Sequence, residues 1–165
     1  MIQQETKILR FTPKQAEAKR ISESNTITLY GGAIRGGKTW WLILMFWTLA
    51  KRWPRSRWVI VRATVPTLIS TTLVTLNSLL EIGLNQDVEN WNAQTKTITL
   101  YNGSQIIFMA ESFDTDKELN RFRGLEINGG GMDEMNELQE LTFLKIIERA
   151  GSWQHSHGCP IRILG

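Results

Sequence analysis

Apolar and polar positions alternate across residues 26–30, Thr-Ile-Thr-Leu-Tyr, and predict a β-strand. A glycine-rich stretch follows at once. Residues 38–50 then run without Gly or Pro and are apolar nearly all round, which predicts a buried helix ended near Pro54. Residues 58–62, Trp-Val-Ile-Val-Arg, suit a short strand covered on both faces. Residues 67–80 predict a helix with Leu68, Thr72, Leu76 and Leu79 on one face. Residues 96–101 and 104–110 flank Asn102-Gly103, a strong hairpin signal. Residues 114–123 are polar and read as loop or short helix. Residues 127–132 read as a strand running into Asp133-Glu134, residues 138–150 as a helix and residues 160–164 as a last strand. Strands that alternate with helices give an α/β fold: a mostly parallel central sheet flanked by helices, with one antiparallel hairpin.

Composition adds little to that picture. The 165 residues suggest one domain, 1–165, with no internal repeat and no low-complexity linker. Apolar and charged fractions of 42% and 21% are those of a globular protein, so disorder is excluded as a general description. The lone cysteine, Cys159, forbids an intrachain disulfide and suits a reducing compartment. The first ten residues lack the apolar segment of a signal peptide. The longest apolar run, residues 40–50, is about half of what a membrane span needs. A net charge of +3 is compatible with nucleic acid but too small to argue for it.

Candidate chemistry begins in the glycine-rich stretch. Residues 32–39, Gly-Ala-Ile-Arg-Gly-Gly-Lys-Thr, match G-x-x-x-x-G-K-[ST] at every fixed position, between an expected strand and an expected helix. The backbone N–H groups of Gly32, Ala33, Ile34, Arg35, Gly36 and Gly37 can converge on an anion, and the helix adds its positive end. Lys38 is suited to the outer phosphates, and the Thr39 hydroxyl to Mg²⁺. Arg35 either offsets charge on the terminal phosphate or braces the loop against an acid. Trp40 and Trp41 read as core packing.

A phosphate loop requires an acidic complement. Asp133 would face the metal, and Glu134 would orient or deprotonate the attacking water. Glu137 and Glu140 are nearby competitors, and the pair also reads as solvated acids at a helix start. The residues before them, Ile-Asn-Gly-Gly-Gly-Met, are glycine-rich where such a strand is usually aliphatic. Gln15, after Phe11-Thr12-Pro13, offers a donor and an acceptor to an adenine edge, and Phe11 a stacking surface. Arg62 falls at a strand end near the expected ligand edge. Arg62, Arg121 and Arg123 read either as salt-bridge formers or as phosphate or subunit contacts. Lys51, Arg52, Arg55 and Arg57 form a basic run. About a dozen helical residues carry it roughly 18 Å from the phosphates, so it reads as a solvated face. His155, His157 and Cys159 lack a second ligand pair and read as loop residues.

With these residues in place, the chain resembles the ATPase domain of the large terminase of tailed bacteriophages. The points of likeness are "FTPKQAEA" at 11–18, "GGAIRGGKT" at 31–39, "WVIVRATVPTLISTTL" at 58–73, "NRFRGLEINGGGMDEMNEL" at 120–138 and "IRIL" at 161–164. The resemblance implies a P-loop NTPase of the additional-strand, catalytic-Glu type. It implies ATP and Mg²⁺ as cofactors, adenine reading by Gln15, phosphate and metal binding by Lys38 and Thr39, and Asp133 and Glu134 as the acidic pair with Glu134 catalytic. It implies a homo-oligomeric ring on double-stranded DNA, with portal protein and small terminase subunit as partners, in the cytoplasm of an infected bacterium. Full-length members continue into a coupling motif and a nuclease domain. The chain is therefore expected to be a fragment without nuclease activity, which binds nucleotide and hydrolyses it weakly by itself. The competing readings are a helicase-like ATPase on other nucleic acid and a nucleotide-binding module without useful turnover.

Overall fold

A computed structural model describes residues 10–31 and 37–165. Gly32, Ala33, Ile34, Arg35 and Gly36, the middle of the expected phosphate loop, lie outside the described residues. Seven strands form one sheet in the order β1-β7-β6-β2-β5-β4-β3. They are β1 (Ile27–Thr28), β2 (Arg57–Arg62), β3 (Val88–Asn92), β4 (Thr97–Leu100), β5 (Gln105–Ala110), β6 (Gly129–Met132) and β7 (Arg162–Leu164). From β1 to β5 across the sheet every neighbouring pair is parallel. The β4–β5 hairpin turns back at Gly103, whose φ of 79° a glycine adopts freely. β3 then pairs antiparallel with β4, which extends the expected hairpin to a three-stranded meander.

The expected strands and the two central helices are present. β1 is shorter than expected as a regular strand, yet its hydrogen bonds to β7 run from the Thr26 carbonyl to the Tyr30 amide. α2 (Lys38–Arg52) buries every residue from Trp41 to Trp47. The next helical rod runs over Val65–Ile82 and begins two residues early. Thr64 and Thr67 form a reciprocal cap there and Pro66 sits in the first turn. The rod comprises α3 (Val65–Thr67), a π-helical turn Leu68–Thr72 and α4 (Leu73–Ile82). It is long and apolar enough to cross a membrane, which a search for unbroken apolar runs does not detect. Here its Leu68, Thr72, Leu76 and Leu79 are buried against the sheet. α5 (Glu140–Arg149) is preceded by a 3-10 turn, Met135–Glu137. α1 (Pro13–Ser24) is a mostly polar helix capped by Thr12.

Strand alternation divides the core. Trp58, Ile60, Ile106 and Phe108 pack with α2 and the rod on one face. Val59, Val61, Met132 and Ile163 pack with Phe122 and Ile146 on the other. β6 runs through the centre with three consecutive glycines, and its neighbours supply the missing bulk. A Cβ at Gly131 would lie 2.5 Å from Phe46, and one at Gly130 would lie 2.7 Å from Val59 and 3.0 Å from Ile146. The glycines therefore let helices on both faces approach β6 closely.

Candidate functional site: the carboxyl edge of the sheet

The five parallel strands all end on one edge, where α2 begins. Gly37 caps α2 in the left-handed region (φ 68°), and among the described residues no side chain caps the first-turn amides. Those amides, with the helix dipole, leave a positive end open for an anion. A Cβ at Gly37 would lie 2.8 Å from Gln15 Nε2, so a larger residue would have to adopt the left-handed backbone and also displace that side chain. Gln15 is buried. Its Nε2 donates to the Gly37 carbonyl at 3.2 Å, and its Oε1 accepts from the Thr12 amide at 2.9 Å. One amide hydrogen and one lone pair are thus left over, and the side chain ties α1 to the start of α2.

Asp133 follows β6 directly, with its amide donating to the Val61 carbonyl at 2.9 Å. Only 2% exposed, its carboxylate accepts from the Thr39 hydroxyl at 2.7 Å and from the Thr72 hydroxyl at 2.6 Å. One side chain therefore joins β6, the first turn of α2 and the π-helical turn. A buried carboxylate met by neutral hydroxyls calls for a positive complement. The oxygen set of Asp133 and Thr39 suits a hard divalent cation such as Mg²⁺. Glu134 turns the other way. Its φ of 53° and ψ of 62° are left-handed, and its Oε2 lies 3.8 Å from Lys38 Nζ. The two adjacent carboxylates thus diverge, one inward to the threonines and one outward to the lysine. A cavity of about 180 Å³ opens between them, bounded by Tyr30, Gly31, Lys38, Trp41, Met132, Asp133, Glu134, Met135 and Gly165 among others. Lys38 and Thr39 on α2 thus meet Asp133 and Glu134 at this one edge, with 94 residues separating Thr39 from Asp133.

Two further acids lie close by: Glu111, which sequence reasoning did not single out, and Glu137, one of the two expected competitors of the acidic pair. Glu111, buried just beyond β5, accepts from the Gln139 amide at 2.9 Å and the Thr142 hydroxyl at 2.5 Å, and so tethers the start of α5. Glu137 pairs with Arg62 at 3.3 Å. Thr72, expected only as part of a helix face, belongs to the site through its bond to Asp133.

The remaining candidates are engaged in structural contacts. Phe11 packs edge-on against Trp40 at 5.9 Å, and Trp41 is buried with its indole donating to the Gln15 carbonyl. Arg121 bonds Asp116 and the Ala110 carbonyl, and Arg123 pairs with Glu118. The amides of Asn120 and Arg121 hold the Asp116 carboxyl below its ordinary value. The basic run lies at the opposite end of α2. Lys51 pairs with Asp87 there, and Arg52 and Arg57 lie over Trp53 and Trp153. His155 rests on Trp153, and no cluster of three metal-binding side chains occurs among the described residues.

The same arrangement of strands and helices is found in solved structures of bacteriophage large terminases. The large terminase of a thermophilic bacteriophage superposes with a TM-score of 0.71 at 16% identity, over 94% of this chain. The chain has the fold of a phage large-terminase ATPase domain. The same phage's large terminase in complex with ADP matches at a TM-score of 0.68 and 19% identity, again over 94% of the chain. The large terminase ATPase domain of Thermus phage P74-26 matches at 0.53 and 13% identity over 96% of the chain. The chain spans 39% and 38% of the first two terminase chains and 70% of the P74-26 one. No protein-family model and no curated protein sequence matches it.

Proposed function

We propose that this chain is the ATP-hydrolysing motor domain of a viral large terminase, which powers packaging of double-stranded DNA into procapsids. The observation that carries the reading is the meeting of Thr39 with Asp133 and of Lys38 with Glu134 at one edge of a terminase fold. Gln15, by holding Gly37, sets the start of α2, and Gly32 to Gly37 supply amides to the phosphates. Lys38 neutralises and orients the outer phosphates, and Arg35, three residues before it in the sequence, either offsets charge on the terminal phosphate or braces the loop. Thr39 and Asp133 would hold Mg²⁺, which would supply charge neutralisation to the phosphates. Glu134 accepts the proton of the attacking water as its oxygen bonds to the terminal phosphorus. The bond from that phosphorus to the leaving diphosphate oxygen breaks, so ADP and phosphate form. In this role the chain works in a ring, with DNA, portal protein and small terminase subunit as partners.

The test is an ATPase assay on the full-length protein with and without double-stranded DNA. Turnover stimulated by DNA and abolished in Glu134→Gln supports the motor. ATP binding without turnover reduces the chain to a nucleotide-binding module. Absence of ATP binding by folded protein refutes the reading.

A further inference from the structure

Three carboxylates gather beyond β6, and the mechanism uses two. The third, Glu137, is held by Arg62 with Nη2 to Oε2 at 3.3 Å. Arg62 ends β2 and is 6% exposed. Val61 pairs with Met132, so Arg62 lies beside Asp133, the residue that follows β6. Its Nε and Nη1 have no hydrogen-bond partner among the described residues. Burying a guanidinium with two idle donors lowers stability. The ion pair returns little, because the Glu137 side chain is 43% exposed and stays solvated. Its pairing with Glu137 alone therefore does not account for this arginine.

Its position does. Glu137 lies three residues after Glu134, and its amide closes the 3-10 turn onto the Glu134 carbonyl at 2.9 Å. Glu134 itself is left-handed, a conformation that persists only where the surroundings enforce it. The segment is anchored at its far end by Glu111 on Gln139. It is anchored in the middle by Arg62 on Glu137.

We propose that Arg62 is a positioning residue: by gripping Glu137 it fixes the turn Met135–Glu137 and thereby the aim of the Glu134 carboxylate. The proposal rests on the reading of Glu134 as the base of ATP hydrolysis. The full chain is compared with Arg62→Met, Arg62→Lys, Glu137→Gln and the double variant Arg62→Met/Glu137→Gln. Arg62→Met lowers kcat between about tenfold and a hundredfold, as a misplacement near 1 Å would, and changes KM less than about threefold. Glu137→Gln, at a half-exposed site where folding is safe, shows the same split. The double variant is no slower than the slower single one, because both remove one device. Arg62→Lys recovers part of the loss. Hydrogen exchange without nucleotide shows the amides of residues 135–139 opening about tenfold faster in Arg62→Met. That measurement needs no turnover. If the wild type hydrolyses nothing while the exchange changes as stated, the assignment of Glu134 falls and the anchoring of the turn stands. Unchanged exchange, a rise in KM alone, or additive losses in the double variant overturn the proposal.

Discussion

Replacing the β6 glycines one at a time by alanine should give losses graded by what each new Cβ meets. At Gly131 it would lie 2.5 Å from Phe46 Cε2 and 2.8 Å from Leu42 Cδ1, on side chains that are themselves buried. Carbon atoms prefer about 3.5–4.0 Å, so α2 must retreat by roughly 1 Å. Overpacking of this kind costs about 1–3 kcal/mol. The stiffer unfolded chain offsets about 0.4–1 kcal/mol of it. A net loss of about 1–2 kcal/mol is expected, which for a domain of this size lowers Tm by roughly 2–8 °C. At Gly129 the obstacle is backbone: the new Cβ would overlap the Arg162 carbonyl oxygen, so β6 and β7 must separate. That variant should lose more than about 3 kcal/mol. Gly130→Ala, against two side-chain methyls, should fall with Gly131→Ala. Urea denaturation followed by the fluorescence of the buried tryptophans measures the series. ATP titration adds a second readout, since a displaced α2 carries Lys38 and Thr39 with it and should weaken binding only in Gly131→Ala. A Gly129→Ala protein within about 0.5 kcal/mol of wild type would refute the close-approach argument, because surface-like tolerance of that size means the strands were never in contact there.

Glu134→Gln should retain ATP affinity within about threefold and lose about 10²–10⁴ in kcat; equal losses in both would remove the base assignment. Thr72→Val removes a hydroxyl that donates to a buried carboxylate and should cost about 1.5–3 kcal/mol in urea denaturation, with Thr72→Ser restoring most of it. Burial pushes the Cys159 thiol up to about 11 from 9.0, with only partial relief from Ser156. Its neutral form is the stable one, so any contribution to folding is complete below pH 9 and fades as pH climbs toward 11. At pH 8 iodoacetamide should alkylate it about 100-fold more slowly than the urea-unfolded chain, and equal rates would contradict the burial.

The sheet was legible because its signals are local: alternation at residues 26–30, an apolar run at 58–62 and the turn at Asn102-Gly103. β3 was not, since Val-Glu-Asn-Trp-Asn is an exposed edge strand with poor propensity and takes its form from β4. The glycines of β6 weakened the reading of a metal-bearing strand. Their meaning depends on Phe46, Leu42 and Ile146, which are distant in sequence, and no window around residue 130 contains them. Asp133 and Glu134 could be named from their place after a strand. That they diverge depends on the left-handed backbone at Glu134, which glutamate does not advertise. One missed residue did leave a signal: Thr72 interrupts the stripe of Leu68, Leu76 and Leu79, and a hydroxyl on a buried leucine face needs a buried acceptor. Glu111, a charge placed directly after a buried strand, left another.

The charges at the carboxyl edge also say how the site must change when it is used. Among the described residues Asp133, Glu134 and Glu137 face Lys38 and Arg62, so acids outnumber bases before any phosphate arrives. A triphosphate adds several negative charges, and one divalent cation offsets only part of them. On the proposed reading, further positive charge would therefore come close on loading, and Lys38 would exchange Glu134 for phosphate. That exchange is cheap. The pair is 3.8 Å apart with both side chains about a third exposed, and such pairs contribute at most about 1 kcal/mol. Releasing Lys38 also frees the Glu134 carboxylate for water, so substrate binding itself would prepare the base. Arg35 is the nearest additional cation in sequence. If it supplies the missing charge, Arg35→Ala should reduce turnover far more than affinity at low salt. If turnover is unchanged, the balance must be completed from outside the chain, and hydrolysis by the isolated domain should stay slow whatever the ATP concentration.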